Sequence, residues 1–136
     1  MSISPTLDIY SVTVGTISQN TSYVPLQTDT KKKTIKIKAL INSGAGGLFI
    51  DQNFAKNFKM QKLNKPMKAH NVDETKNKEG TIRSFIDLEF KIDWKKFSGR
   101  FYITGLGKQK IVLGFPWLHE HNPEINWKKG KITWKA

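Results

Sequence analysis

The sequence predicts an all-β domain, mostly strands with two short helices, and three stretches carry that expectation. Residues 34–41 alternate, with Ile35, Ile37, Ala39 and Ile41 on one face and Lys36 and Lys38 on the other. Residues 80–94 repeat the pattern over a longer span, placing Ile82, Ser84, Ile86, Leu88, Phe90, Ile92 and Trp94 in phase. Asp8 to Val14 sets Ile9, Ser11 and Thr13 against Tyr10, Val12 and Val14, a segment rich in β-branched residues. A chain of 136 residues is expected to form one domain. Residues 1–7, which carry Pro5, are expected to be a flexible arm before a domain over 8–136.

In chain order, Asp8–Val14 is the first expected strand. Ser18–Ser22 is a polar break, Tyr23–Leu26 a short strand and Gln27–Lys33 a turn. Thr34–Ile41 is a half-buried strand that delivers Asn42 at its end. After a turn of small residues comes the apolar run Leu48-Phe49-Ile50, and Asp51 is placed to cap a short helix through Phe58. Phe54 and Phe58, one turn apart, share its core side. Lys59–Pro66 reads as a connection. Met67–Val72 and Gly80–Trp94 read as strands joined by the polar stretch 73–79, the second long enough to bend or to project beyond its sheet. A turn at Lys95–Gly99 precedes a strand at Arg100–Thr104. A loop over Gly105–Gln109 leads to Ile111-Val112-Leu113-Gly114, and Pro116 suits the first turn of a brief helix to Glu120, ended by Asn122-Pro123. Ile125 and Trp127 face Ile132 and Trp134 across Lys128-Lys129-Gly130, a terminal hairpin.

Composition excludes several function classes. There is no cysteine, so disulfides, zinc-thiolate sites and thiol nucleophiles are absent, and the chain suits a reducing, intracellular setting. Met1–Leu26 lacks a basic start followed by an apolar core, and no apolar run approaches the ~20 residues that span a bilayer, so neither a secretory signal nor a membrane partner is expected. The net charge of +12 raises a nucleic-acid reading. The basic residues are scattered, with no basic helix and no run longer than Lys31-Lys32-Lys33, so nonspecific, salt-sensitive adhesion is expected rather than a dedicated site.

The chemistry lies in an assembly of motifs. Asn42-Ser43-Gly44 alone is a turn tripeptide. Here an apolar strand runs into Asn42-Ser43-Gly44-Ala45, then into Leu48-Phe49-Ile50-Asp51, and Ile111-Val112-Leu113-Gly114 precedes a helix far downstream. This resembles the retropepsin-like aspartic proteases of gypsy-class long-terminal-repeat retrotransposons, the fungal ones in particular. Ala39–Asp51 is similar to their Asp-Ser-Gly-Ala loop apart from Asn42, and Asn71-Val72-Asp73 through Gly80 to their flap. Ile111–Trp134 is similar to their Ile-Leu-Gly segment with Pro-Trp-Leu, Asn-Pro and a terminal tryptophan hairpin. The resemblance covers about Tyr23 to Trp134.

The resemblance implies a single-lobed acid-protease barrel whose site forms in a homodimer, because the chain holds one such motif and a two-fold axis would supply the other. In the family two close carboxylates share a proton and activate a water. It assigns Asn42, Ser43 and Gly44 to the catalytic position, and Ala45, Gly46, Gly47, Val72, Asp73, Glu74, Thr75 and Ile111 to binding an extended peptide or polyprotein substrate. Leu113-Gly114 would pack behind the loop, glycine permitting close approach of backbone. No cofactor or metal is implied. The departures are Asn42 in place of the catalytic Asp, Glu74 where the flap tip often has Gly, and Asn126 where Asp is frequent. A carboxamide cannot take a proton from water, so the chain as written is expected not to cleave. A non-catalytic pseudoprotease that grips peptides or dimerises, and a nucleic-acid-binding β-domain, stand as alternatives.

Weaker signals have plainer readings. His119 and His121 lack a third ligand and read as a solvated helix end. Asp73-Glu74 at a hairpin tip, and Asp87, Glu89 and Asp93 along a strand, read as surface charge. Phe85 breaks that polar face and either lines a cleft or packs beneath a loop. Trp117, Trp127 and Trp134 read as core or subunit contact, and Gly105-Leu106-Gly107 is too short for a phosphate loop.

Overall fold

The alternating segment 34–41 becomes the strand beside which the candidate site is assembled. The structure is a computed structural model and describes residues 11–13, 22–70, 79–126, 128–129 and 131–133. The strands are β1 (Ser11–Thr13), β2 (Ser22–Asp29), β3 (Thr34–Ile41), β4 (Leu48–Asp51), β5 (Gln61–His70), β6 (Glu79–Ile92), β7 (Lys95–Thr104), β8 (Ile111–Leu113), β9 (Glu124–Asn126) and β10 (Lys131–Thr133). Among the described residues a 3-10 turn covers Phe54–Asn57, and a short helix α1 covers Trp117–His121.

Six strands close a barrel in the order β6-β2-β3-β8-β4-β7, with β7 returning to β6. β5 extends the sheet from the first half of β6, and β1 lies parallel to its far edge. β8 is the pivot: it runs parallel to β3 and antiparallel to β4, so Leu113 stands between Ile41 and Leu48. This layer is buried on both faces, as its near-continuous apolar sequence requires. Ala39, Ile41, Leu48, Ile50, Ile111 and Leu113 point into the barrel with Val24, Leu26, Ile86, Phe90 and Phe101. Their neighbours Leu40, Phe49 and Val112 point the other way, against Met67 and Ala69 of β5 and Ile82 of β6. The second cluster holds the β5–β6 hairpin against the barrel. Each fully buried side chain of this kind contributes about 1.5–3 kcal/mol.

The all-β expectation and the two short helical segments hold, and several boundaries move. β2 continues to Asp29, leaving Thr30–Lys33 as the turn. Lys59–Pro66 was expected to be a connection, yet Gln61 onward is strand β5. Its residues stay polar because β5 lies outside the barrel and buries little beyond Met67 and Ala69, and its register slips between Lys62 and Met67, around Pro66. The turn expected at Lys95–Gly99 is at Asp93-Trp94 instead, with Lys95 already paired to Ile92. Asp93 takes φ 57, a left-handed conformation that Asp tolerates. Trp94, expected on the buried face, is 61% exposed on this turn.

Phe54 and Phe58 meet edge to face at 5.3 Å. Phe85 is buried, with the Arg100 guanidinium 3.8 Å from its ring centroid. Trp117 packs into the barrel core with Phe90 and Phe97. Ile125 pairs with Ile132 in the terminal hairpin. The expected arm at 1–7, and Trp127 and Trp134, lie outside the described residues or their described side chains. Among the described residues no helix is long and apolar enough to cross a membrane.

Candidate active-site loop

Parallel pairing carries β3 alongside β8 as far as Ile41 and Leu113, and the next amide, Asn42 N–H, still donates to Leu113 O at 3.0 Å. The chain then turns back on Asn42. Ala45 N–H donates to Asn42 O at 3.0 Å, and Gly44 N–H donates to Asn42 Oδ1 at 2.9 Å. Asn42 is 4% exposed, so the Gly44 bond serves a polar side-chain oxygen whose burial unbonded would cost about 1–3 kcal/mol. A carboxylate oxygen at the Oδ1 position would accept the same Gly44 amide.

Small residues are needed here because two backbone segments, the loop and the chain after β8, converge. A Cβ on Gly114 would lie 2.5 Å from Ala45 O, 2.6 Å from Gly47 O and 2.7 Å from the Ala45 Cβ. Phe115 N–H donates to Ala45 O at 2.8 Å, so the segment after β8 supports the loop from behind. The expected close approach of Leu113-Gly114 is thus present in the backbone. A Cβ on Gly44 would stand 3.2 Å from Asn42 Oδ1, tight against the side chain that the loop positions.

The candidate residues separate by exposure. Ser43, Gly44 and Gly46 are exposed, whereas Ala45 and Gly47 are covered. Ile111, expected to contact substrate, has no exposed surface and packs inside the barrel between Ala39 and Ile50. Its role in this subunit is to seat β8. Val72, Asp73, Glu74 and Thr75 lie outside the described residues; the hairpin that leads to them is described as far as the His70–Glu79 pair. An open cleft of about 630 Å³ borders Gly46 and Gly47, walled by Arg100, Tyr102, Pro116 and Trp117.

Asp51 is a buried acid that the sequence placed at a helix cap. Instead, its carboxylate accepts from Asn53 N–H at 3.0 Å and from Leu106 N–H at 2.9 Å. It clamps the loop after β7 to the end of β4, about 10 Å along the strand from Leu48. The signal for its partner, 55 residues away, is not local in sequence. Among the described residues no group of three or more His, Asp or Glu side chains could hold a metal ion.

Comparison with known proteins agrees with this geometry. The retroviral protease-like domain of Ddi1 from Leishmania major superposes with a TM-score of 0.60 at 17% identity, covering 85% of this chain and 88% of that one. A Legionella pneumophila protein of unknown function aligns at 10% identity and a TM-score of 0.45, over 74% of this chain and 86% of that one. At 17% identity the likeness to the Ddi1 domain concerns the fold alone, and the Legionella likeness carries no argument. The sequence of residues 38–136 matches the PEG10/RTL1 protease domain. That match spans the loop, the β5–β6 hairpin, β8 and the terminal hairpin, and on it the chain belongs to the PEG10/RTL1 protease domain family, with a retropepsin-like barrel and a hydrolase lineage.

Proposed function

We propose that this domain is one half of an aspartic endopeptidase that processes a retroelement polyprotein of the gypsy class, close to those of fungi, and that Asn42 leaves the present chain unable to cleave. The observation that carries the reading is the position of Asn42: buried at the end of β3, closed on by Ala45 and Gly44, and braced by Gly114. Two such loops facing across a two-fold axis would place two residues 42 together, with Ser43 and Gly44 exposed toward the partner. An extended peptide would lie between the loops and the β5–β6 hairpins, with Gly46 and Gly47 lining its path and Val72, Asp73, Glu74 and Thr75 among the residues that bind it.

With Asp at position 42 the pair would share one proton, and one carboxylate would take a proton from water while the other gave one to the peptide carbonyl. A carboxamide does neither. Loss of one general acid–base group costs about 10²–10⁴-fold in rate, and the symmetric assembly loses both. A second reading, a peptide-gripping pseudoprotease, is favoured by one feature: the carboxamide is received by the loop through the same Gly44 amide, so the frame persists without the acid.

Asn42→Asp tests the catalytic reading, assayed on a mixture of peptides with product detection by mass. Cleavage that appears only with the substitution is expected; no cleavage from a folded, dimeric variant contradicts it. Sedimentation over a range of concentrations reads the assembly. A dimer is expected for Asn42, with Asn42→Asp more sensitive to pH because like charges then face each other.

A further inference from the structure

Lysines that are scattered in sequence gather at the end of the barrel where β3 begins. The β2–β3 turn is fixed by Thr30, whose Oγ1 accepts from Lys32 N–H at 3.2 Å and Lys33 N–H at 3.1 Å. Thr30 N–H closes the turn on Lys33 O at 2.8 Å. Lys31 N–H then donates to Asn57 O at 3.1 Å, docking the turn onto the 3-10 turn that carries Lys56 and leads to Lys59. Beyond the start of that 3-10 turn, Lys110 lies with Nζ 5.5 Å from the Phe54 ring centroid, and its carbonyl accepts from Asp51 N–H.

Lys31, Lys32, Lys33, Lys56, Lys59 and Lys110 are all exposed. Among the described residues none of them forms an ion pair. The acids of this region are otherwise engaged: Asp29 accepts from the Thr34 hydroxyl, and Asp51 is buried on two amides. Six lysines against the carboxylates of Asp29 and Asp51 leave a track of net positive charge, from the Lys31–Lys33 turn along the 3-10 turn to Lys110. Asn42 lies at the other end of the eight-residue β3 from the Lys31–Lys33 turn, roughly 26 Å away, and about half that distance from Lys110, which precedes the Ile111–Ala39 pair.

We infer that this track is a sequence-independent binding site for the sugar-phosphate backbone of a single-stranded nucleic acid. Unpaired lysines in a line match a chain of phosphates, each contact releasing a condensed counterion. The lysines rise from turns rather than from a groove that could read base edges, so the recognition is of charge and not of sequence. On the segments that carry the track, the large apolar side chains not buried are Met60 and the partly covered Phe54, too little for insertion into a bilayer. The site is separate from the proposed peptide cleft and does not depend on it.

The test is fluorescence anisotropy of a labelled 20-nucleotide mixed-sequence single strand, titrated with the Asn42 chain between 50 and 200 mM salt. With about five phosphates contacted, affinity should fall about 100-fold over that range. Replacing Lys31, Lys32 and Lys33 together by Gln should weaken binding about 10-fold at intermediate salt and lower the salt slope by about 2. The equal-charge control Lys96→Gln with Lys128→Gln and Lys129→Gln should change affinity less than 2-fold. Lys56→Gln with Lys59→Gln provides a second reading that leaves the β2–β3 turn untouched and should again exceed the control. Equal losses in track and control variants, or binding to anionic vesicles without binding to the oligonucleotide, overturn the proposal.

Discussion

The two ends of β3 are built on opposite principles. At its C-terminal end the chain is neutral and small, and Ala45 and Gly47 pack against Gly114 at distances that leave no room for a methyl group. At its N-terminal end, Lys31, Lys32 and Lys33 stand in solvent on a turn held by the backbone and one threonine. One end derives its geometry from contacts among main-chain atoms, so single atoms matter there. The other needs only that the turn keep its shape, and its side chains remain free to serve a ligand.

The largest effect that separates these ends is expected at Gly114. Gly114→Ala places Cβ against two carbonyl oxygens that belong to backbone and cannot rotate away, and should cost about 3 kcal/mol or more. Urea unfolding would read it as a lower midpoint at unchanged slope. A cost below ~1 kcal/mol would mean that the loop and the β8 segment are less closely packed than described.

Asp51→Ala comes next. It strips two amides of their buried acceptor and should destabilise by about 2–3 kcal/mol. Hydrogen exchange should show the loss concentrated at Asn53 and Leu106; a uniform change across the barrel would contradict the clamp. Gly99→Ala is the smaller counterpart of Gly114→Ala. Its Cβ would meet Leu48 Cδ1 at 2.6 Å, but that is the tip of a side chain able to shift, so about 1–2 kcal/mol is expected by the same unfolding measurement. If Gly99→Ala costs more than Gly114→Ala, the contrast between rigid and yielding neighbours is wrong. The triple lysine-to-glutamine variant of the β2–β3 turn should leave stability within ~0.5 kcal/mol while changing polyanion binding.

How far the sequence could be read follows from the same contrast. β3 was legible because Ile35, Ile37, Ala39 and Ile41 face one way and lysines the other, the signature of a half-buried strand. The first part of β5, residues 61–66, was not, because an outer strand of a hairpin buries too few side chains to alternate visibly. The Asp93-Trp94 turn was hidden since Trp94 continues the apolar phase of β6 past its end. Around Asn42, strand and turn could be read locally, and the resemblance directed attention to Leu113-Gly114. The clamp from Asp51 to Leu106 and the gathering of Lys31–Lys33 with Lys56 depend on hydrogen bonds between distant segments. The motif of Ile111 lies beside the loop while its side chain faces the core. Scattered lysines in the sequence were therefore no guide to their arrangement in space.

The central claim is that a protease frame stands intact around a residue that cannot do the chemistry. The most direct measurement compares the present chain with Asn42→Asp on one peptide mixture, at equal concentration and with folding and dimerisation verified. The account predicts no cleavage by the present chain and peptide-bond hydrolysis by Asn42→Asp, with a rate gain of at least about 10²-fold. Cleavage by the Asn42 chain at a rate equal to that of the Asp variant, or none by either, would contradict it.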